Sequence, residues 1–280
     1  VSSALYLVAT PIGNLGDVSA RALDVLRAAD VIAAEDTRRT QKLLSHFGIE
    51  GPRLTSLHAH STERDVERLV AALAEGKTVA LCTDAGTPQV SDPGDALVRA
   101  AIAAGIRVVP LPGPSAVLAA LSGSGLGTGA GFRFAGFLPR GGTERAGALR
   151  RIADDPDPVV LFEAKGRVEA TLADLAAATP ARPACVAREL TKVHEEFVRG
   201  TLAELAALER EWIGEIAIVL GPHDPAARSE TIDDAALDAR IDEALAKGEH
   251  AKSVAERLAA WSGRKKRDVY ERVIQRKGAG

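Results

Sequence analysis

An α/β fold with mostly parallel sheets is the class this sequence predicts, and three observations predict it. Short β-rich runs alternate with helical stretches, the pattern of strands covered by helices on both faces. A proline-dense segment around residues 110–114 is followed by a restart of the same alternation. Beyond Pro225 the chain reads as helix alone. The 280 residues suffice for about two domains of ~100–150 residues. A composition of 46% apolar and 26% charged residues excludes disorder and collagen-like order.

In order, Leu5-Tyr6-Leu7-Val8-Ala9 reads as a buried strand ended by Thr10-Pro11-Ile12-Gly13. Ser19 caps a helix that turns Ala22, Leu23, Leu26 and Ala29 to one side. Val31–Ala34 is a second strand. A helix over 37–47 follows, with Leu43, Leu44 and Phe47 inward and Gly48 as its stop. A short run from Leu54 to His58 precedes a helix carrying Val66, Leu69, Val70 and Leu73. Val79–Cys82 and Val108–Leu111 are strands, with a helix over 94–104 between them. Pro110-Leu111-Pro112-Gly113-Pro114 is the best linker, since prolines at this density oppose helix and sheet. After it, Phe132–Phe137, Val159–Phe162, Ala184–Ala187 and the β-branched Ile216–Leu220 read as strands. Helices fit at 143–153, 167–177 and 201–209. The expected domains are 1–112, 113–223 and a helical segment 224–280.

Net charge is −3 but unevenly spread: −5 over residues 224–249, +6 over 250–280 and −4 over the rest. A basic end on an acidic body suits a polyanionic partner, or equally a solvated helix face. Val254, Leu258 and Trp261 form one helical face, and Val269, Tyr270, Val273 and Ile274 another, with Ser262-Gly263 as a turn between them. Arg264, Lys265, Lys266 and Arg267 open the second helix, so the pair resembles a helix-turn-helix.

No apolar run approaches the ~20 residues that span a bilayer. Nor does the N-terminus carry a basic stretch, apolar core and small-residue cleavage site, so a cytoplasmic protein is expected. Two cysteines, Cys82 and Cys185, are too few for a disulfide framework or a zinc knuckle and read as buried thiols. His58 and His60 share a face if extended, but lack a third ligand, and no metal is expected.

Three Gly/Pro-rich loops follow predicted strands: Thr10–Asp17, Thr83–Pro88 and Pro112–Ser115. In an open parallel sheet the strand carboxyl ends are where ligands bind, and glycine lets backbone approach them closely. The dinucleotide glycine fingerprint, the phosphate-binding P-loop and the hydrolase nucleophile elbow are all missing from the sequence.

The motifs that remain are Leu5–Leu15, Ala34-Glu35-Asp36-Thr37-Arg38, Asp84-Ala85-Gly86-Thr87-Pro88, Ser91-Asp92-Pro93-Gly94 and Val108–Ala116. Gly136-Phe137-Leu138-Pro139, Ala187-Arg188-Glu189-Leu190-Thr191-Lys192 and the C-terminal basic helix pair complete them. In this order, over essentially the whole chain, they resemble the bacterial 16S rRNA 2′-O-ribose cytidine methyltransferases of the tetrapyrrole methylase superfamily. Two stretches depart from that pattern. Thr83 and Gln89 stand where members carry Ser and an apolar residue. Phe162–Arg167 keeps Glu163 and Arg167 but lacks the usual Ser and His, so no role of those two groups transfers.

The resemblance implies a two-domain tetrapyrrole-methylase-like fold, with mostly parallel or mixed sheets and a small C-terminal helical segment. It implies S-adenosyl-L-methionine in the cleft between the α/β domains, and a homodimer. The methyl group would go to a cytidine 2′-hydroxyl in the decoding region of 16S rRNA, within the small ribosomal subunit. Pro11, Thr83, Asp84, Ala85, Gly86, Val90, Ser115, Ala116, Phe162, Leu190 and Ile216 should then line the cofactor cleft.

A ribose hydroxyl is a weak acid, so a carboxylate or imidazole should take its proton. Glu35, Asp36, Asp17 and His58 are the candidates, Asp36 being equally an N-cap, and Arg38 joins Glu35, Asp36 and His58 in the expected catalytic set. Arg38, Arg39 and Arg188 suit an RNA phosphate, as do Arg264, Lys265, Lys266 and Arg267. Few aromatics argue against a base-stacking platform, leaving RNA shape and the 2′-hydroxyl as the features read. The rivals are a methyltransferase on a corrinoid or porphyrin precursor, a nicotinamide-dependent dehydrogenase and a non-catalytic RNA-binding assembly factor.

Overall fold

The computed structural model describes residues 2–223, 234–262 and 265–279. They form two compact units, one of Val1–Ala153 with Pro158–Gly221, the other of Asp154–Asp157 with Pro222–Gly280.

The larger unit holds two five-stranded sheets. The first contains β1 (Leu5–Val8), β2 (Val31–Ala34), β3 (Arg53–Ser56), β4 (Val79–Cys82) and β5 (Val108–Leu111). All pairs are parallel and the order is β3-β2-β4-β1-β5. Successive side chains along each strand face opposite ways, and in β1, β2 and β4 both ways are apolar. Tyr6, Val8, Ile32, Ala80 and Cys82 pack against α1 (Ala20–Ala28) and α2 (Thr37–His46) through Val25, Leu26 and Leu44. Leu5, Ala33, Val79 and Leu81 pack against α3 (Glu63–Ala74) and α4 (Asp95–Ala103) through Leu69, Leu73, Leu97 and Ala101. The chain leaves β1 toward β2 and leaves β4 toward β5, in opposite directions across the sheet, so a crevice opens at the carboxyl ends of these neighbours.

Val108–Leu111 is the strand the sequence predicts, so Pro110 and Leu111, read also as the start of a linker, are instead the end of β5, paired in register with Leu7 and Val8. β5 is an edge strand, where a proline's missing N–H leaves no inner ladder bond unmade.

The second sheet is mixed. Its strands are β6 (Arg133–Phe137), β7 (Val159–Glu163), β8 (Pro183–Arg188), β9 (Glu196–Thr201) and β10 (Ile216–Leu220), in the order β6-β7-β10-β8-β9. Only β6 and β7 run parallel. One face, with Val159, Leu161, Val186, Ile216 and Ile218, packs against α6 (Gly142–Ala153), α7 (Val168–Ala178) and α8 (Leu202–Ala206). The other, with Val160, Cys185, Ala187, Ala217 and Val219, is covered by α5 (Ala116–Ser124) and by Ile12, Val90 and Leu190. β9 and α5 have no counterpart in the sequence reading, and α8 stops short of the expected 201–209.

Arg182 is buried at 2% exposure. Its Nη1 donates to the Ile152 carbonyl at 2.7 Å and its Nε to the Gly221 carbonyl at 2.8 Å. Burial pushes the Cys82 thiol up to about 12 and the Cys185 thiol up to about 11, as expected of inert core thiols.

In the smaller unit, α9 (Asp234–Ala246), α10 (Ala251–Ser262) and α11 (Lys266–Ala279) share a core of Leu237, Ile241, Val254, Leu258, Val269 and Val273. Tyr270 and Ile274, expected beside Val269 and Val273, are exposed instead, because three helices enclose only a narrow stripe of α11. The acidic and basic runs neutralise one another. Arg272 contacts Asp238 at 2.6 Å and Asp234 at 3.0 Å, and Arg276 lies 2.9 Å from Asp238. Arg264, Gly263 and Pro225 lie outside the described residues. Among the described residues no helix is long and apolar enough to cross a membrane.

Candidate active site

Two loops from the first sheet and two from the second converge in the larger unit. Thr10 and Gly86 exchange backbone hydrogen bonds at 2.9 Å in each direction, which ties the loop after β1 to the loop after β4. The Thr10 hydroxyl adds a bond to the Thr83 carbonyl at 3.1 Å, and Thr87 Oγ1 donates to the Pro114 carbonyl at 3.1 Å. The loop after β1 is then pressed against residues 190–192: a Cβ on Gly13 would stand 2.9 Å from Thr191 Oγ1 and 3.1 Å from the Leu190 carbonyl.

These loops and the α5 N-terminus enclose a cavity of about 360 Å³, within the ~300–1,000 Å³ typical of small-molecule sites. Small residues (Ala85, Gly86, Ala116, Ala164, Gly214, Ala217) leave its volume open and bring backbone groups to its wall. Ile12, Val90, Leu190 and Ile216 make it apolar, and Phe137 and Phe162, 5.5 Å apart between ring centroids, add an aromatic side.

Val90 and Leu190 are each presented by strained backbone. Val90 lies between Gln89 (φ 71°) and Ser91 (φ 67°), and Leu190 between Glu189 (φ 52°) and Thr191 (φ 67°). Left-handed backbone at a non-glycine residue costs ~1–2 kcal/mol and persists only where surrounding contacts impose it. For Glu189 those contacts are visible. Its N–H donates to the Glu215 carbonyl at 2.9 Å, while its Oε1 accepts from the Glu215 N–H and from Lys192 Nζ, both at 2.9 Å. The Glu215 N–H and Lys192 hold the Glu189 carboxyl below the usual carboxylate range.

Of the residues expected at a cofactor, Ala85, Gly86, Val90, Ser115, Ala116, Phe162, Leu190 and Ile216 line this cavity. Pro11, Thr83 and Asp84 instead line a smaller hollow of about 190 Å³, together with Arg39 and Lys42. The side chains of the expected catalytic set do not meet in the cavity. Asp36 caps α2, and Arg38 grips it, at 2.8 Å through its N–H and 2.9 Å through its guanidinium. Arg38 holds that carboxyl at about 2, where it is a poor proton acceptor. Glu35 Oε2 accepts from the Asp84 N–H at 3.2 Å, and Asp84 Oδ1 accepts from the Asp36 N–H at 3.0 Å, so this pair fastens the ends of β2 and β4 together. His58 is exposed beyond β3, its Nδ1 accepting from the His60 N–H, and Asp17 is exposed in the first loop.

Arg188 is committed within the fold, donating to the Ile213 carbonyl and to Glu196 at 3.1 Å each. Arg39 faces Asp84 at 3.5 Å but is 65% exposed. Lys265, Lys266 and Arg267 are exposed, with Lys266 bonded to Glu256 at 2.7 Å.

The sequence reading gave no role to three carboxyl-bearing residues that line the cavity. Glu163 is locked in place: Thr171 Oγ1 donates to it at 2.7 Å, the Ala164 N–H at 2.9 Å, and Arg167 Nε lies 3.2 Å away. Arg167 also donates to the Leu138 carbonyl, so the retained Glu163–Arg167 pair shapes the wall. Glu215 is paired with Lys192 at 2.8 Å. Asp92 is half-buried, and burial together with the Glu35 and Asp84 charges pushes its carboxyl up to about 7.

A parallel sheet joined to a mixed one, with a cavity at the first sheet's carboxyl ends, defines the class of the tetrapyrrole (corrin/porphyrin) methylases, whose family model matches residues 4–206. The uroporphyrin-III C-methyl transferase from Thermus thermophilus, solved complexed with S-adenyl homocysteine, shares the fold. It aligns with a TM-score of 0.53 and 23% identity, covering 78% of this chain and 97% of that one. Ribosomal RNA small subunit methyltransferase I of Micromonospora olivasterospora is 44% identical over 276 residues, 97% of this chain and 87% of the relative. The Xylella fastidiosa (strain Temecula1) protein of the same name is 51% identical over 221 residues, 77% of this chain and 80% of the relative. The chain belongs to the ribosomal RNA small subunit methyltransferase I family, and it is a methyltransferase.

Proposed function

We propose that the protein transfers a methyl group from S-adenosyl-L-methionine to the 2′-hydroxyl of a cytidine in the decoding region of 16S rRNA, acting on the small ribosomal subunit as a cytoplasmic homodimer. The observation that carries this reading is the cavity itself, small and apolar, in a chain similar along nearly its whole length to small-subunit rRNA methyltransferases. The residues fit the donor. Val90, Leu190, Ile216 and Phe162 offer apolar walls for a nucleoside, while Ala85, Gly86, Ser115 and Ala116 offer backbone at close range. When bound, the donor supplies an electrophilic methyl carbon on sulfur. The protein's own part is to align the ribose hydroxyl and exclude water, an effect worth ~7–11 kcal/mol in well-oriented systems.

The acceptor RNA is held, in this reading, by Arg38 and Arg39 on α2 and by Lys265, Lys266 and Arg267 at the start of α11, with Lys42 beside them on α2. Incubating purified small subunits with the protein and isotopically labelled donor, then analysing nucleosides by mass spectrometry, tests it. Label on a cytidine ribose is the expected result. Label on a base, or on a porphyrin precursor offered in parallel, would replace this function with another. Light scattering of the purified protein checks the dimer.

A further inference from the structure

We propose that Asp92 accepts the proton of the ribose 2′-hydroxyl during methyl transfer, a role that rests on reading the protein as a ribose methyltransferase. Carboxylates are the natural acceptors at this site, and three line the cavity: Asp92, Glu163 and Glu215. The Glu163 oxygens are taken by Thr171, the Ala164 N–H and Arg167, and Glu215 is held by Lys192. The neighbouring carboxylates are occupied too: Glu35 by the Asp84 N–H, Asp84 by the Asp36 N–H and Arg39, and Asp36 by Arg38. Asp92 alone among them has neither hydrogen bond nor ion pair within the described residues.

Its placement is also fixed. Ser91, with φ 67°, precedes it, and Pro93 and Gly94 follow, with the Gly94 backbone pressed against the Leu81 side chain. The charged groups acting on it are Glu35 and Asp84, and Glu163 and Glu215 line the same cavity. The cations near these carboxylates (Arg39, Arg145, Arg167 and Lys192) are already engaged, Arg145 with Asp174 as well as Glu163. Burial and like charge make Asp92 a stronger base than an aspartate in water, suited to work near neutral pH.

The step balances. A lone pair of the ribose oxygen forms the new O–C bond as the C–S bond breaks, and its electron pair stays on sulfur as a neutral thioether. The hydroxyl proton passes to the Asp92 carboxylate, which later releases it to water.

Asp92→Asn and Asp92→Glu test this by single-turnover methylation of small subunits across about pH 5.5–9, with adenosylhomocysteine binding by calorimetry and thermal melting on the same samples. The expected loss for Asp92→Asn at pH 8 is on the order of 10²–10⁴-fold. Adenosylhomocysteine affinity should stay within a few-fold, and Asp92→Glu should recover part of the rate. The wild-type rate should fall as pH drops through about 7, and that inflection should vanish in Asp92→Asn. Folding disfavours the ionised carboxyl, so it costs wild-type stability as pH rises from about 4 toward about 7. Asp92→Asn should therefore melt higher than wild type at pH 8 and not at pH 4. A variant within tenfold of the wild-type rate, or one keeping the inflection, overturns the role of Asp92 while leaving the methyltransferase reading in place. Wild-type protein that labels no ribose overturns both.

Discussion

Gly214 shows how much of the cavity depends on single residues. Its φ is 90°, and a Cβ there would run into the Glu189 carboxylate, the group that fastens residues 189–192 to residue 215. Gly214→Ala should cost roughly 2–3 kcal/mol by chemical denaturation, through backbone strain and a collision in one place. It should also weaken adenosylhomocysteine binding, since Leu190 and Glu215 would be displaced from the wall. The residue scale is also where sequence and structure diverge most. Glu35, Asp36 and His58 are sound proton acceptors as residue types, but a sequence does not show which oxygens are already taken. Asp36 is bound to Arg38, Glu35 to the Asp84 backbone, and His58 sits beyond an edge strand. Ser91-Asp92-Pro93-Gly94 stands out in the sequence as a motif of the resemblance, but nothing in it marks Asp92 as a proton acceptor. Its significance comes from Glu35, distant in sequence and near in space, acting together with Asp84 of its own loop.

At the scale of elements, the inner strands are legible because they are buried on both faces, which writes continuous apolar runs such as Val79–Cys82 and Ile216–Leu220. Two elements left no such mark. α5 begins Ala116-Val117-Leu118-Ala119-Ala120, apolar all round, so it has no polar side to reveal a helical period. β9 lies at the edge of its sheet and mixes Glu196 and Arg199 with Phe197 and Val198, giving a weak pattern. The basic run at the end of the chain was legible as charge but not as partnership. Arg272 and Arg276 are spent on α9, whereas Lys265, Lys266 and Arg267 remain exposed. Replacing those three with alanine should weaken RNA binding about tenfold or more at low salt. It should also lower the slope of log affinity against log salt by about 2–3. Filter binding at several salt concentrations checks this, and adenosylhomocysteine affinity should not change.

For the whole molecule, acid stability follows from which carboxylates the fold favours in ionised form. Arg210, at 2.8 Å, and then Arg188 hold the Glu196 carboxyl down to about 2. A lowered carboxyl stabilises the fold fully above its unfolded value near 4.5, and that contribution is lost as pH falls through about 2. With the side chain 37% exposed, solvent screening leaves about 1 kcal/mol. Glu196→Gln should therefore melt below wild type at pH 7 and converge with it near pH 2, in a pH series of thermal unfolding curves.

Arg182 carries a consequence for the chain's architecture. The two carbonyls it grips, on Ile152 and Gly221, belong to the last turns of backbone before the polypeptide departs from the larger unit. One guanidinium thus works as a buckle across both exits, and the sheet-bearing portion is cinched shut by its own side chain. Ending the polypeptide after Gly221 should accordingly yield a shortened protein that still folds and still retains adenosylhomocysteine in calorimetry. The same truncation of an Arg182→Ala protein should unravel.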